Sequence, residues 1–152
     1  MIIGRMRRIL IIDKNEAVRI SLKQQLEKGG YHVIERDEGQ KGIEFYRKNP
    51  TDLVITDINA PELEGLKTII QMRKEFPGVV IIAKSTPIVE PGYINYNPLQ
   101  SAKLFGALRT VSSPINLEGL IKMIEELSSH PVLVRRRSTR YLKFKVRTPL
   151  NR

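Results

Sequence analysis

Five short apolar runs, each followed by a stretch with helical spacing, limit what this chain can become more than any other feature. "RILIID" (8–13) is too short for a helix and rich in isoleucine, as a strand covered on both faces should be. "YHVIER" (31–36), "DLVITD" (52–57), "VVIIAKS" (79–85) and "ALRTVSS" (107–113) read as four more strands. Between the first two, Asn15 stands as a cap before Val18, Leu22 and Leu26 at four-residue spacing, and Gly29-Gly30 stops the helix. "GQKGIEFYRKN" (39–49) is a second helix, and Leu66, Ile69, Ile70, Met72 and Phe76 give a third helical face that ends before Pro77. "TPIVEPGYINYNP" is mostly loop, after which Asn97-Pro98 opens a short helix over about 99–105. Asn116 caps a last helix with Leu117, Leu120, Ile121, Ile124 and Leu127 inward. This rhythm predicts an α/β fold: a doubly wound, five-stranded parallel sheet with helices on both faces and right-handed crossovers. In such sheets chemistry gathers at the carboxyl ends of the strands, which here carry Asp13, Asp57, Ser85 and Ser113.

Composition narrows the class. At 152 residues the chain has the length of one well-buried core, and 41% apolar with 28% charged residues reads as soluble and globular. No apolar run approaches the roughly 18 residues of a membrane span. "MIIGRMRR" is too short in its apolar part for a secretory signal; it reads as a leader over 1–7, with Met6 as a second candidate start. The absence of cysteine excludes disulfides and thiolate metal sites and fits a cytoplasmic chain. His32 and His130 each lack a second ligand at metal spacing. Nothing resembles a GxxxxGK[ST] phosphate loop, and no nucleophile–base pair is visible, so an enzyme is not expected.

The stretch "DLVITDINAPELEG" sharpens the expectation. It sets Asp57 at the end of an apolar strand, with Pro61 four residues on and Gly65 eight on. "ILIIDKNEAVR" supplies an acidic opening, "FPGVVIIAKS" a fourth strand with a terminal hydroxyl, and "GALRTVSSPINLEGL" a fifth strand and last helix. On these four pieces, in order, positions 6 to 130 resemble the receiver domain of two-component response regulators. The resemblance implies a flavodoxin-like sheet of order 2-1-3-4-5 and a body over 8–130. It also implies a cis peptide at Ser113-Pro114, and X-Pro is where cis is tolerated. It further implies that Asp57 accepts a phosphoryl group from a histidine kinase or phosphotransfer protein. Such transfer is promoted by charge neutralisation and positioning. Receivers use Mg²⁺, an ion that wants hard oxygen ligands. Two acids after the first strand, the phosphoacceptor and one backbone carbonyl hold it. A Ser/Thr hydroxyl after the fourth strand and a lysine after the fifth touch the phosphoryl oxygens.

Carried onto this sequence, the pattern is incomplete. Asp13 matches the first acid, but Lys14 stands where the second is expected. Asn59 fits the carbonyl ligand, which needs only backbone. Ser85 fits the switch hydroxyl, although a one-residue shift would put Lys84 there. Ser113 takes the place of the usual lysine, and Thr110 that of an aromatic residue that often moves with the switch. An ammonium in place of a carboxylate turns an attraction for Mg²⁺ into a repulsion, about 4 kcal/mol for a unit pair at about 4 Å and an effective dielectric near 20. The Mg²⁺ site over Asp13, Asp57 and Asn59 is therefore expected to be weak or absent. Two readings of Lys14 stay open: its ammonium takes the metal's place against Asp57, or it extends into solvent.

The net charge of +10 is concentrated at one end. Eight of the 26 Lys/Arg fall in 131–152, where there is no acid; the other 18 against 16 acids leave +2 for the rest. The tail "PVLVRRRSTRYLKFKVRTPLNR" is too short for a DNA-binding output domain, and it reads first as a solvated cationic segment. Arg136 and Arg140 before a strand-like run resemble the entry of PilZ domains, which bind cyclic di-GMP, though that family's second motif is absent. An acidic protein surface or nucleic acid are the other partners such charge would attract. The function expected is a divergent receiver that accepts phosphate on Asp57 and signals through a downstream protein contact, with a homodimer also open. The alternatives are a pseudo-receiver indifferent to phosphate and the receiver portion of a receiver–PilZ protein.

Overall fold

A computed structural model describes residues 6–58, 64–85 and 98–129. The elements run β1 (Arg8–Ile12), α1 (Glu16–Lys28), β2 (His32–Arg36), α2 (Gly39–Lys48), β3 (Leu53–Asp57), α3 (Glu64–Glu75), β4 (Ile81–Ser85), α4 (Pro98–Phe105), β5 (Arg109–Ser112) and α5 (Leu117–Ser129). All strand pairings are parallel, in the order β2-β1-β3-β4-β5. The sheet and its order are those the strand–helix rhythm and the family resemblance imply. Asn97, Asn59, Pro61, His130 and the basic segment 131–152 lie outside the described residues.

Local chemistry explains the boundaries. The Asn15 side chain accepts the Val18 amide at 3.1 Å, and the Asn116 side chain accepts that of Gly119 at 3.1 Å, satisfying helix N–H groups that have no partner within the helix. At the end of α1, Gly30 takes φ +92°, a left-handed turn that a glycine makes at little cost. The peptide between Ser113 and Pro114 is cis. Met6 precedes β1 yet is fully buried, and its amide donates to Ser128 Oγ at 3.1 Å, so part of the segment read as a leader packs in the core.

Side chains alternate across the sheet into two cores. Ile9 and Ile11 of β1, Leu53 and Ile55 of β3, and Ile82 of β4 pack with Leu22 and Leu26 of α1 and Leu120, Ile124 and Leu127 of α5. Leu10 and Ile12, Val54, and Ile81 and Ala83 turn the other way, onto Ile43 and Tyr46 of α2, Ile69 and Met72 of α3 and Ala102 of α4. Each strand of this central group is thus covered twice, which is why its sequence is a continuous apolar run. The same parity governs the polar residues that continue these strands.

Gly65, in the first turn of α3, sets how closely that helix approaches the end of β3. A Cβ there would fall on the backbone of Ile58 and 2.5 Å from the Asp57 carbonyl oxygen, neither of which can move aside as a side chain tip would. Gly65→Ala is expected to destabilise the fold by about 2 kcal/mol, the usual scale of overpacking. Gly119→Ala, whose Cβ would have 3.7 Å to its nearest neighbour, should instead stabilise by about 0.5 kcal/mol. Urea unfolding midpoints at unchanged slope check both.

Candidate functional site

Three polar residues extend the apolar parity of the α1/α5 face to the carboxyl edge of the sheet. Asp13 follows Ile9 and Ile11, Asp57 follows Leu53 and Ile55, and Lys84 follows Ile82. Register completes the arrangement: Asp57 pairs with Lys84 across β3 and β4, and β1 lies on the other side of β3. The three strands sit about 4.8 Å apart, so a lysine stem on β4 spans the gap to both acids. Lys84 Nζ lies 3.3 Å from Asp57 Oδ1 and 3.0 Å from Asp13 Oδ2.

This cluster is sunk into the protein. The Lys84 and Asp13 side chains are each 3% exposed, whereas Asp57 is 15% exposed. A buried ammonium is costly unless it is paired, and two carboxylates supply that pairing. Asp13 Oδ1 accepts the Asn15 amide at 2.9 Å, and Arg19 donates to the Asp13 carbonyl at 2.9 Å while bridging to Glu35 at 2.7 Å. Asp13 Oδ2 receives no hydrogen bond of good angle. Its link to Lys84 is a charge attraction, which needs proximity more than alignment. The strand ends are tied together as well. The Ile58 amide donates to the Lys84 carbonyl at 2.9 Å, and the Ser113 amide to the Ser85 carbonyl at 2.7 Å.

Asp13 and Asp57 open onto a cavity that also meets Lys14, Asp37, Thr56 and Glu64. The Thr56 hydroxyl is buried there with no hydrogen-bond partner among the described residues. Lys14 pairs with Glu64, from the first turn of α3, at 2.7 Å, both side chains about half exposed. Lys41 donates to Asp37 at 3.0 Å, and this hydrogen bond holds the Asp37 carboxyl below its usual range. Among the described residues, each of the four carboxylates around the cavity therefore has a lysine beside it.

Those partners decide whether the residues suit a divalent ion. Mg²⁺ needs hard oxygen ligands that no other cation occupies. Here an ammonium stands within ion-pair distance of both Asp13 and Asp57, and Lys14 lines the same cavity. Among the described residues, no three acidic or histidine side chains converge on one point. The residues present do not fit the ion.

Residues 9–125 match the family model of the response regulator receiver domain. The chain belongs to that family. Over 122 residues it is 30% identical to the response regulator receiver protein CpdR of Brucella abortus, covering 80% of this chain and 97% of that one. It is also 30% identical over 81 residues to the alkaline phosphatase synthesis transcriptional regulatory protein PhoP of Bacillus subtilis, but that match spans only 34% of the longer protein. The CheY-like response regulator receiver domain of Methanospirillum hungatei superposes with a TM-score of 0.70 at 26% identity, covering 88% of this chain and 98% of that one. Receivers are signalling modules of two-component systems. No helix among the described residues is long and apolar enough to cross a membrane.

Within this receiver, Asp13 and Asp57 do converge. Lys14 reaches the cavity, but its ion pair is with Glu64; the ammonium at Asp57 Oδ1 is that of Lys84. By sequence, Ser85 fits the position after β4, with Lys84 as the one-residue shift. Strand alternation groups Ser85 with Ile81 and Ala83 and sends Lys84 toward the two acids. That period-of-two signal was available in "VVIIAKS". The pairing of Lys14 with Glu64 was not, because it joins residues fifty positions apart through the packing of α3. Asp13→Asn, which removes one of two anions from a buried ammonium, is expected to destabilise the receiver by about 3 kcal/mol. Lys14→Ala, which breaks a half-exposed pair, should cost no more than about 1 kcal/mol. Urea unfolding at neutral pH compares the two.

Proposed function

We propose that this receiver accepts a phosphoryl group on Asp57 from a histidine kinase or phosphotransfer protein and passes the signal on through a protein contact. The observation that carries the reading is a carboxylate at the end of β3 that keeps some exposure while an ammonium sits 3.3 Å from one of its oxygens. In the transfer an Asp57 oxygen attacks phosphorus and the phosphorus–nitrogen bond of the donor histidine breaks. Its electron pair leaves on the imidazole, which takes up a proton. Charge builds on the phosphoryl oxygens, and a fixed cation beside them offsets it. Lys84 is that cation in this reading. Ser85 and Ser113, whose strand ends are joined by a 2.7 Å hydrogen bond, are the hydroxyls proposed to respond. Asn59 contributes backbone alone, and metal assistance is weak or absent. The body over 8–130 works in the cytoplasm as a stoichiometric acceptor and not as an enzyme. The segment 131–152 is a cationic extension open to an acidic partner or nucleic acid.

The same ion pair favours a second reading. An ammonium already neutralising Asp57 supplies without phosphate part of what phosphorylation and metal would supply together, so the protein would serve as a pseudo-receiver with a standing conformation. Incubation with acetyl phosphate, followed by electrophoresis on a phosphate-retarding gel, separates the two. The phosphoacceptor reading expects a retarded band that Asp57→Asn abolishes. An unretarded wild type under conditions that label another receiver leaves the pseudo-receiver.

A further inference from the structure

The cation that Asp13 and Asp57 share is part of the polypeptide, and its placement differs in kind from that of the other lysines at the cavity. Lys14 and Lys41 are about half exposed and can reach water from their ion pairs. Lys84 cannot. Its side chain is 3% exposed, its backbone is held between Asp57 of β3 and Val111 of β5, and its carbonyl accepts the Ile58 amide. An incoming metal ion would have to drive this ammonium away from both carboxylates, toward the apolar layer of Ile55 and Ile82 on the same face. An ammonium in that layer would be buried without a counter-charge.

We infer that Lys84 is a built-in substitute for a divalent cation: it occupies the charge site between Asp13 and Asp57 and thereby excludes Mg²⁺ from it. The inference deepens the receiver reading of this site, since it concerns the charge that site holds, but it does not depend on Asp57 ever taking a phosphoryl group. It also makes a directional claim. The two carboxylates are already arranged side by side at the sheet edge, so removing the ammonium should create a metal site that the wild-type chain lacks.

Mn²⁺ alone, followed by the electron paramagnetic resonance of the free ion, tests this on the full chain with no phosphoryl donor present. The wild type should bind Mn²⁺ weakly and without saturation in the concentration range that loads the variant. Lys84→Met should bind one ion at least about tenfold more tightly, and adding Asp57→Asn to it should remove the gain. Lys14→Ala should gain less than Lys84→Met, because the exposed lysine is not what bars entry. If Lys84→Met does not fold, Lys84→Gln replaces it, keeping a neutral donor against the carboxylates. Saturable wild-type binding as tight as the variant's, or Lys84 variants no tighter than wild type, overturns the inference. Failure of acetyl phosphate labelling would bear on the acceptor role of Asp57 and leave this result untouched.

Discussion

An ammonium held between two carboxylates at the carboxyl edge of the sheet is the interaction on which the rest of the site turns. Asp13 is almost completely buried, and so is Lys84. Either charge alone in that position would be costly, and each makes the other tolerable. The pair spans three strands, from β1 over β3 to β4, so it also ties the centre of the sheet together where its apolar packing ends. Asp57 joins from the middle strand and is 15% exposed.

The sheet makes this possible by being two-faced. Residues of one parity pack on α1 and α5 and residues of the other on α2, α3 and α4. The apolar runs end in polar residues that inherit their neighbours' direction. Asp13, Asp57 and Lys84 arrive on one side because they continue three strands of the same phase. Gly65 then lets α3 close down beside Asp57, bringing Glu64 to Lys14 at the mouth of the cavity. Lysines thus stand beside every described acid of the cavity, one of them buried and two about half exposed.

Much of the fold was legible in advance. All ten elements fall where apolar periodicity, caps and breakers placed them, within a residue or two at most ends, because those signals are local in the chain. The ends of β4 show the limit: Val79 and Val80 are buried but precede the strand, although the Val80 carbonyl already accepts the Val54 amide at 2.9 Å. The site was legible in its acids, Asp13 and Asp57, which sit at strand ends in a recognisable order. It was less legible in its cation. Lys14 drew attention as the residue beside Asp13, where an acid was expected, whereas Lys84 appeared only as a shifted alternative to Ser85.

The sequence by itself determined the α/β architecture, the strand order through its family resemblance, and the placing of two carboxylates at the carboxyl edge of the sheet. It could do so because periods of two and 3.6 residues, and the residues that cap and break them, act over a few positions of chain. Tertiary structure alone decided which cation meets Asp57 and which meets Glu64. Those choices depend on strand register and on a helix docking across the sheet. Between them these bring Lys84 to within 3.3 Å of a residue twenty-seven positions away and Lys14 to within 2.7 Å of one fifty positions away.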